Sequence, residues 1–136
     1  INRFDHHQAG GAGKRNNGIP YASFGLVWKK FGRKLCGSSE VAETIDKMIV
    51  QPIDANDNGI QFLETKIPGL RPFDIGLMTS VFYPTWKENA LNTDNTFKEL
   101  VLYTKFLLKR IITFVKGGGG ECVSVLIWGI LNDKRR

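Results

Sequence analysis

Cysteine is scarce in these 136 residues: Cys36 and Cys122 stand far apart with no C-x-x-C pair. That excludes a zinc ribbon and a disulfide framework, and makes a reducing compartment the default. Histidine is scarcer in effect, because its two copies, His6 and His7, are adjacent. Long hydrophobic runs are missing as well. The longest apolar stretch, Cys122 to Leu131, is about half of the ~20 residues that span a bilayer, so no transmembrane helix and no membrane partner are expected. No charged-then-apolar leader follows Ile1, which excludes a visible signal peptide and implies that something upstream was removed or not recorded. The expected location is intracellular: cytoplasmic in a bacterium, mitochondrial or nuclear in a eukaryote.

What is present suits a soluble globular domain, with 42% hydrophobic and 24% charged residues. The net charge of +6 is carried entirely by the first 36 residues, where seven bases (Arg3, Lys14, Arg15, Lys29, Lys30, Arg33, Lys34) face one acid, Asp5. Residues 40–64 answer with six acids against one base, Lys47. A basic portion beside an acidic patch suits a polyanion-binding protein with a cation site. Charge runs are also ordinary solvated faces, and composition alone favours that reading.

Periodicity places the elements. Pro20 suits the first turn of a helix whose Phe24, Val27, Trp28, Phe31 and Leu35 form one buried stripe. A second helix opens at Ser38 or Ser39 as N-cap, turns Val41, Ile45, Met48 and Ile49 inward, and ends at Pro52. The run Asp54-Ala55-Asn56-Asp57-Asn58-Gly59 has turn chemistry. A short element from Phe73 to Phe82 ends at Tyr83-Pro84-Thr85-Trp86. A long helix follows from about Asn95 to Lys116, with Phe97, Leu100, Val101, Thr104, Leu107, Leu108, Ile111 and Val115 on one face. Residues 1–4 suit the end of a strand, residues 9–18 a flexible glycine loop, and Gly117 to Gly120 stop the long helix.

Chemistry can sit in two clusters. Asp5-His6-His7 combines borderline nitrogen donors with a carboxylate able to ligate or to fix a ring tautomer. Asp54 and Asp57 offer hard oxygen ligands suited to magnesium or manganese, although an Asx turn accounts for D-x-x-D-N-G by itself. Each cluster alone is an incomplete metal site, so Asp5, His6 and at least one of Asp54 and Asp57 are expected to converge. The glycine loop fails as a P-loop, because Gln8 and Arg15 stand where Gly and Ser or Thr are needed, and as G-x-G-x-x-G at Asn16. It leaves Lys14 and Arg15 able to touch a phosphate. No serine stands in a G-x-S-x-G elbow.

Taken together, Asn2-Arg3-Phe4-Asp5-His6-His7-Gln8, Tyr21-Ala22-Ser23-Phe24-Gly25-Leu26-Val27-Trp28, Asp54-Ala55-Asn56-Asp57-Asn58-Gly59 and Tyr83-Pro84-Thr85-Trp86 resemble the Myg (melanocyte proliferating gene) family of the DHH phosphoesterase superfamily, over roughly Ile1 to Lys116. The resemblance implies an α/β DHH-type domain that hydrolyses phosphodiesters with divalent metal, manganese or magnesium, as a 3′-to-5′ RNA exonuclease. It implies His6 as a metal ligand, Asp5 orienting it or joining the site, and His7 facing the scissile phosphate. Asp54 and Asp57 match the later aspartate motif, with the ligating one left open. Two ions about 4 Å apart would hold the attacking hydroxide and neutralise the leaving oxygen. Lys14, Arg15, Lys29, Lys30, Arg33 and Lys34 would receive the nucleic-acid backbone.

The family places a further His- and Asp-containing motif and another aspartate before the DHH segment, and it is longer than this chain. The expectation is therefore an internal fragment: residues 1–116 as a partial, helix-rich DHH-type domain lacking its upstream strands, residues 117–136 as a glycine-rich break and divergent tail, and little hydrolysis by the piece alone. The alternatives are a small-substrate phosphohydrolase, acting on pyrophosphate or short oligonucleotides, and a non-catalytic nucleic-acid-binding module.

Overall fold

The computed structural model describes residues 4–7, 11–63, 65–70, 73–88 and 93–119. Among them the architecture is helix-rich and contains no strand beyond one isolated antiparallel bridge, Lys14 to Pro20. Five α-helices follow in order: α1 (Ser23–Cys36), α2 (Ser39–Ile45), α3 (Gln51–Asp57), α4 (Ile75–Ser80) and α5 (Thr93–Lys116). A five-residue π-helical turn, Asp46–Val50, joins α2 to α3. The helix-rich part of the expectation is thus seen, while the α/β class implied by the resemblance is not shown by the described residues. The strand expected at residues 1–4 falls mainly on residues 1–3, outside the described residues, as does the apolar tail from Glu121.

The glycine loop is tied down where it is described. Arg15 N–H donates to Ile19 O, Gly18 N–H to Arg15 O, and Tyr21 N–H to Gly13 O, which folds residues 13–21 back on themselves. The chain then enters α1, whose last turn carries Arg33 and Lys34, the sign that suits a helix C-terminus. Gly37 stops α1 in the left-handed conformation (φ 69°), and its N–H donates to Arg33 O. Ser38 caps α2, its hydroxyl accepting from Val41 N–H, as the sequence predicts.

Pro52 does not end this helix. Gln51 N–H donates to Asp46 O across a π-type turn, so the register shifts by one residue just before the position that lacks an N–H. The widened turn takes up the missing bond, and α3 continues with proline in its first turn. Asp54 to Asp57 are consequently helical rather than a turn. The turn comes after them: Gly59 N–H donates to Asn56 O and Ile60 N–H to Ala55 O, a Schellman closure with Gly59 at φ 72°.

Trp28, Cys36, Ala42, Ile45 and Val50 form the buried core. The C-terminal half of α5 covers them with Leu108, Ile111, Ile112 and Val115. The Trp28 indole N–H donates to Ala42 O at 3.0 Å, which satisfies its one buried donor. Its ring crosses over Gly32, where an added Cβ would lie 2.8 Å from the indole. Removing this ring would cost on the order of 3–5 kcal/mol. The expected stripes were too wide, since Leu35, Met48, Phe97 and Val101 are exposed. Only part of each periodic face meets a partner among the described residues, and α5 touches the core through its last two turns and a half.

Cys36 has no exposed surface, and burial pushes its thiol above the ordinary value while Lys116 pulls the other way. A thiol that is both protonated and enclosed reacts slowly. Iodoacetamide should therefore leave Cys36 unmodified in the native chain and label it on unfolding in urea, as read by peptide mass spectrometry. Labelling of Cys36 at equal rates in both states would refute the packing of α1 against α2.

Candidate functional site

Two segments meet at the N-terminal end of α1. His6 Nδ1 lies 3.2 Å from the Ser23 hydroxyl, and His6 Nε2 lies 3.5 Å from Asp57 Oδ2 at the end of α3. The His6 side chain keeps 11% of its surface and that of Asp57 keeps 53%, so the pair sits at an accessible edge. His7 stacks on His6 with ring centroids 3.9 Å apart. Asp5 Oδ1 accepts the His7 N–H at 2.9 Å, which shapes the turn that presents both rings.

Asp54 goes elsewhere. Its carboxylate has no exposed surface; Oδ1 accepts Gly25 N–H at 2.9 Å and Oδ2 pairs with Arg15 Nη1 at 2.7 Å. Arg15 also reaches Asp46 through Nε and Nη2, at 3.2 and 2.9 Å, and Gln51 Nε2 donates to the same Asp46 carboxylate at 2.7 Å. Burial pushes the Asp54 carboxyl above its ordinary value, against the pull of Arg15 and the Gly25 and Ala22 amides. At Arg15, burial works against the charge, yet pairing with Asp46 and Asp54 outweighs it and holds the guanidinium above its ordinary value. Gly25 is required by this packing, because a Cβ there would fall into the Asp54 carboxylate.

The candidate residues therefore divide by position. His6 and Asp57 come together, with Asp5 and His7 beside them, while Asp54 and Arg15 lie in the ion network beneath. Arg15 keeps only 7% of its side-chain surface; its guanidinium plane also covers the Tyr21 ring at 4.2 Å. Lys14, Lys29, Lys30, Arg33 and Lys34 are exposed. Sequence reasoning passed over Ser23, Gly25 and Asp46 as site residues. A glycine inside the predicted stripe of α1 was the available signal for Gly25, because glycine is costly in a helix interior unless something approaches its backbone.

A divalent ion of the manganese or magnesium type suits the donors at the edge. An imidazole nitrogen and a carboxylate oxygen 3.5 Å apart are spaced like neighbouring ligands of one ion with bonds of ~2.0–2.2 Å. With Ser23 on Nδ1, Nε2 is the nitrogen that could face such an ion, an arrangement that orients a ligating histidine. Among the described residues no group of three or more His, Cys, Asp or Glu side chains converges. The pair could supply two positions of a ligand set and no more.

Comparison with known families agrees with these segments. The MYG1 exonuclease family model, described as an uncharacterised protein family (UPF0160), matches residues 1–117. The chain belongs to this family. The match spans both the His6 turn and α3, so the two halves of the edge lie within one MYG1 family segment. No curated protein and no solved structure matches the chain. Among the described residues, no helix is long and apolar enough to cross a membrane.

Asp54 and Asp57 should respond oppositely to mutation. Removing one partner of a buried pair strands the other, at about 3–5 kcal/mol, whereas an exposed pair is worth about 0–1 kcal/mol. Urea unfolding should show Asp54→Ala losing an amount in the first range and Asp57→Ala an amount in the second. Equal losses would remove the distinction between a carboxylate that holds the fold and one that faces outward.

Proposed function

We propose that this MYG1 family segment serves metal-dependent hydrolysis of phosphodiester bonds, with RNA trimmed from its 3′ end as the substrate. The observation that carries the reading is the His6–Asp57 edge, where a nitrogen and a carboxylate oxygen from distant parts of the chain meet in the open. The family name supports an exonuclease, and the resemblance to the DHH superfamily supports metal-dependent phosphodiester chemistry.

Within this reading each residue has a task. His6 and Asp57 would hold a manganese or magnesium ion, and Ser23, 3.2 Å from His6 Nδ1, would fix the imidazole. When bound, such an ion polarises the phosphate and lowers the pKa of a coordinated water. Asp5 holds the turn through the His7 amide. His7 stacks on the metal-facing ring and offers a second imidazole to the phosphate. The exposed bases Lys14, Lys29, Lys30, Arg33 and Lys34 hold the nucleic-acid backbone by pairing with its phosphates. Lys29 lies over the Tyr21 ring at 4.8 Å and Lys30 over Phe4 at 5.7 Å, which keeps both stems against the protein.

Release of mononucleotides from single-stranded RNA by the full-length parent protein, with and without manganese, tests the reading; the piece alone should release little. His6→Ala and Asp57→Ala should each reduce release by about a hundredfold or more, and Ser23→Ala by about tenfold, because even outer partners of a metal ligand are worth about 10–100-fold. Pyrophosphate cleavage without RNA trimming would favour the small-substrate phosphohydrolase, and RNA binding without any turnover would favour a binding module. Metal-dependent trimming unchanged by His6→Ala would refute the edge.

Salt dependence tests the basic face separately. Reversing Lys29, Lys30, Arg33 and Lys34 together should weaken RNA binding and flatten the log–log salt slope by about 0.7 for each phosphate of a single strand that no longer meets a basic side chain. An unchanged slope would remove α1 from the interface.

A further inference from the structure

Beside the His6–Asp57 edge lies a cavity of about 500 Å3 that shares Asp57 with the edge and no residue with the basic face. One wall comes from the π turn and α3, through Ile49 and Ile53; the other comes from Phe62 and from Ile75 of α4. Asp57 lines the cavity and also faces His6, so an occupant of the cavity abuts the candidate metal position.

Two of the polar groups, Asp74 and Asn56, meet at Gly76: a Cβ there would lie 3.2 Å from Asp74 Oδ1 and 3.5 Å from Asn56 Nδ2. Asp74 spends Oδ1 on Leu77 N–H as the cap of α4. Asn56 is an exposed residue on the cavity lining, and its side-chain amide offers a donor and an acceptor side by side. Apolar walls with one amide able to pair with a base edge fit a planar heteroaromatic group. The carboxylates of Asp57 and Asp74 repel an anion and accept hydroxyl donors, so they fit a ribose and not a phosphate.

We infer that this cavity binds the nucleoside of the terminal nucleotide, with the base between Ile53 and Phe62, its edge on Asn56, and the ribose hydroxyls at Asp57 and Asp74. The phosphate is thereby left outside, on the side of His6. This rests on the phosphodiester reading of that edge and adds what selects the end of the chain: a free terminal nucleoside enters, while a duplex or an internal stretch does not.

Nucleoside binding without metal separates the two readings. Adenosine and uridine, titrated into the 15N-labelled chain with no divalent ion, should give saturable shifts at the amides of Ile53, Asn56, Phe62, Ile75 and Thr79. Asn56→Ala should weaken binding about tenfold, as for one missing hydrogen-bonded edge. Thr79→Phe fills the cavity from α4 and should abolish the shifts while leaving the thermal midpoint unchanged. Indole and pyrophosphate are the controls. Shifts at these amides from indole with equal affinity, or from pyrophosphate in place of nucleosides, would overturn the inference, as would nucleoside binding indifferent to both variants. His6-dependent RNA trimming without nucleoside shifts would end this inference and leave the hydrolase standing. Nucleoside shifts without trimming would do the reverse.

Discussion

The carboxylate of Asp54 is the constraint on which the remainder depends. It lies without exposed surface between an amide of α1 and a guanidinium from the folded-back turn, so three separate stretches of chain are held by one group. A charge in that position is stable only while its donors remain, because desolvation is not recovered from water. The consequence is positional. Gly25 is two residues from Ser23, which holds His6, and Asp54 is one helical turn from Asp57. Joining Gly25 to Asp54 therefore fixes the separation of His6 from Asp57. Arg15 extends the same control to the π turn through Asp46, and Gln51 closes the network from the start of α3.

Much of the helical framework was legible in the chain. The helix around Trp28, the Ser38 cap and the long helix ending at Lys116 follow from local rules, although of the expected stripe only Trp28 is fully buried. Pro52 misleads, because a proline stop and a proline in a first helical turn look alike until the upstream register is known. Asn58-Gly59 does form a turn, but turn chemistry does not reach back over Asp54 to Asp57, which the π turn keeps helical. Faces are overestimated where periodicity continues past the packed surface, as at Phe97 and Val101.

The site was legible as a set of residue types and not as a geometry. Asp54 and Asp57 are chemically identical in the sequence, and three residues on a helix separate an inward carboxylate from an outward one by about a sixth of a turn. Burial decides between them, and burial depends on Arg15 arriving from 39 positions away. That arrival also withdraws Arg15 from the exposed bases, a long-range pairing that no local pattern announces. The same fold that places basic side chains along α1 places Asp57 and Asp74 on the cavity lining.

The most direct test of the Asp54 constraint is manganese-induced line broadening in 15N spectra of the chain. The amides of His6, His7 and Asp57 should broaden together along a single binding curve, and Asp54→Asn should uncouple the His6 turn from α3 without removing either ligating side chain. Broadening confined to one of the two segments in the unaltered chain, or separate curves for the two, would contradict the claim that Asp54 holds them as one edge.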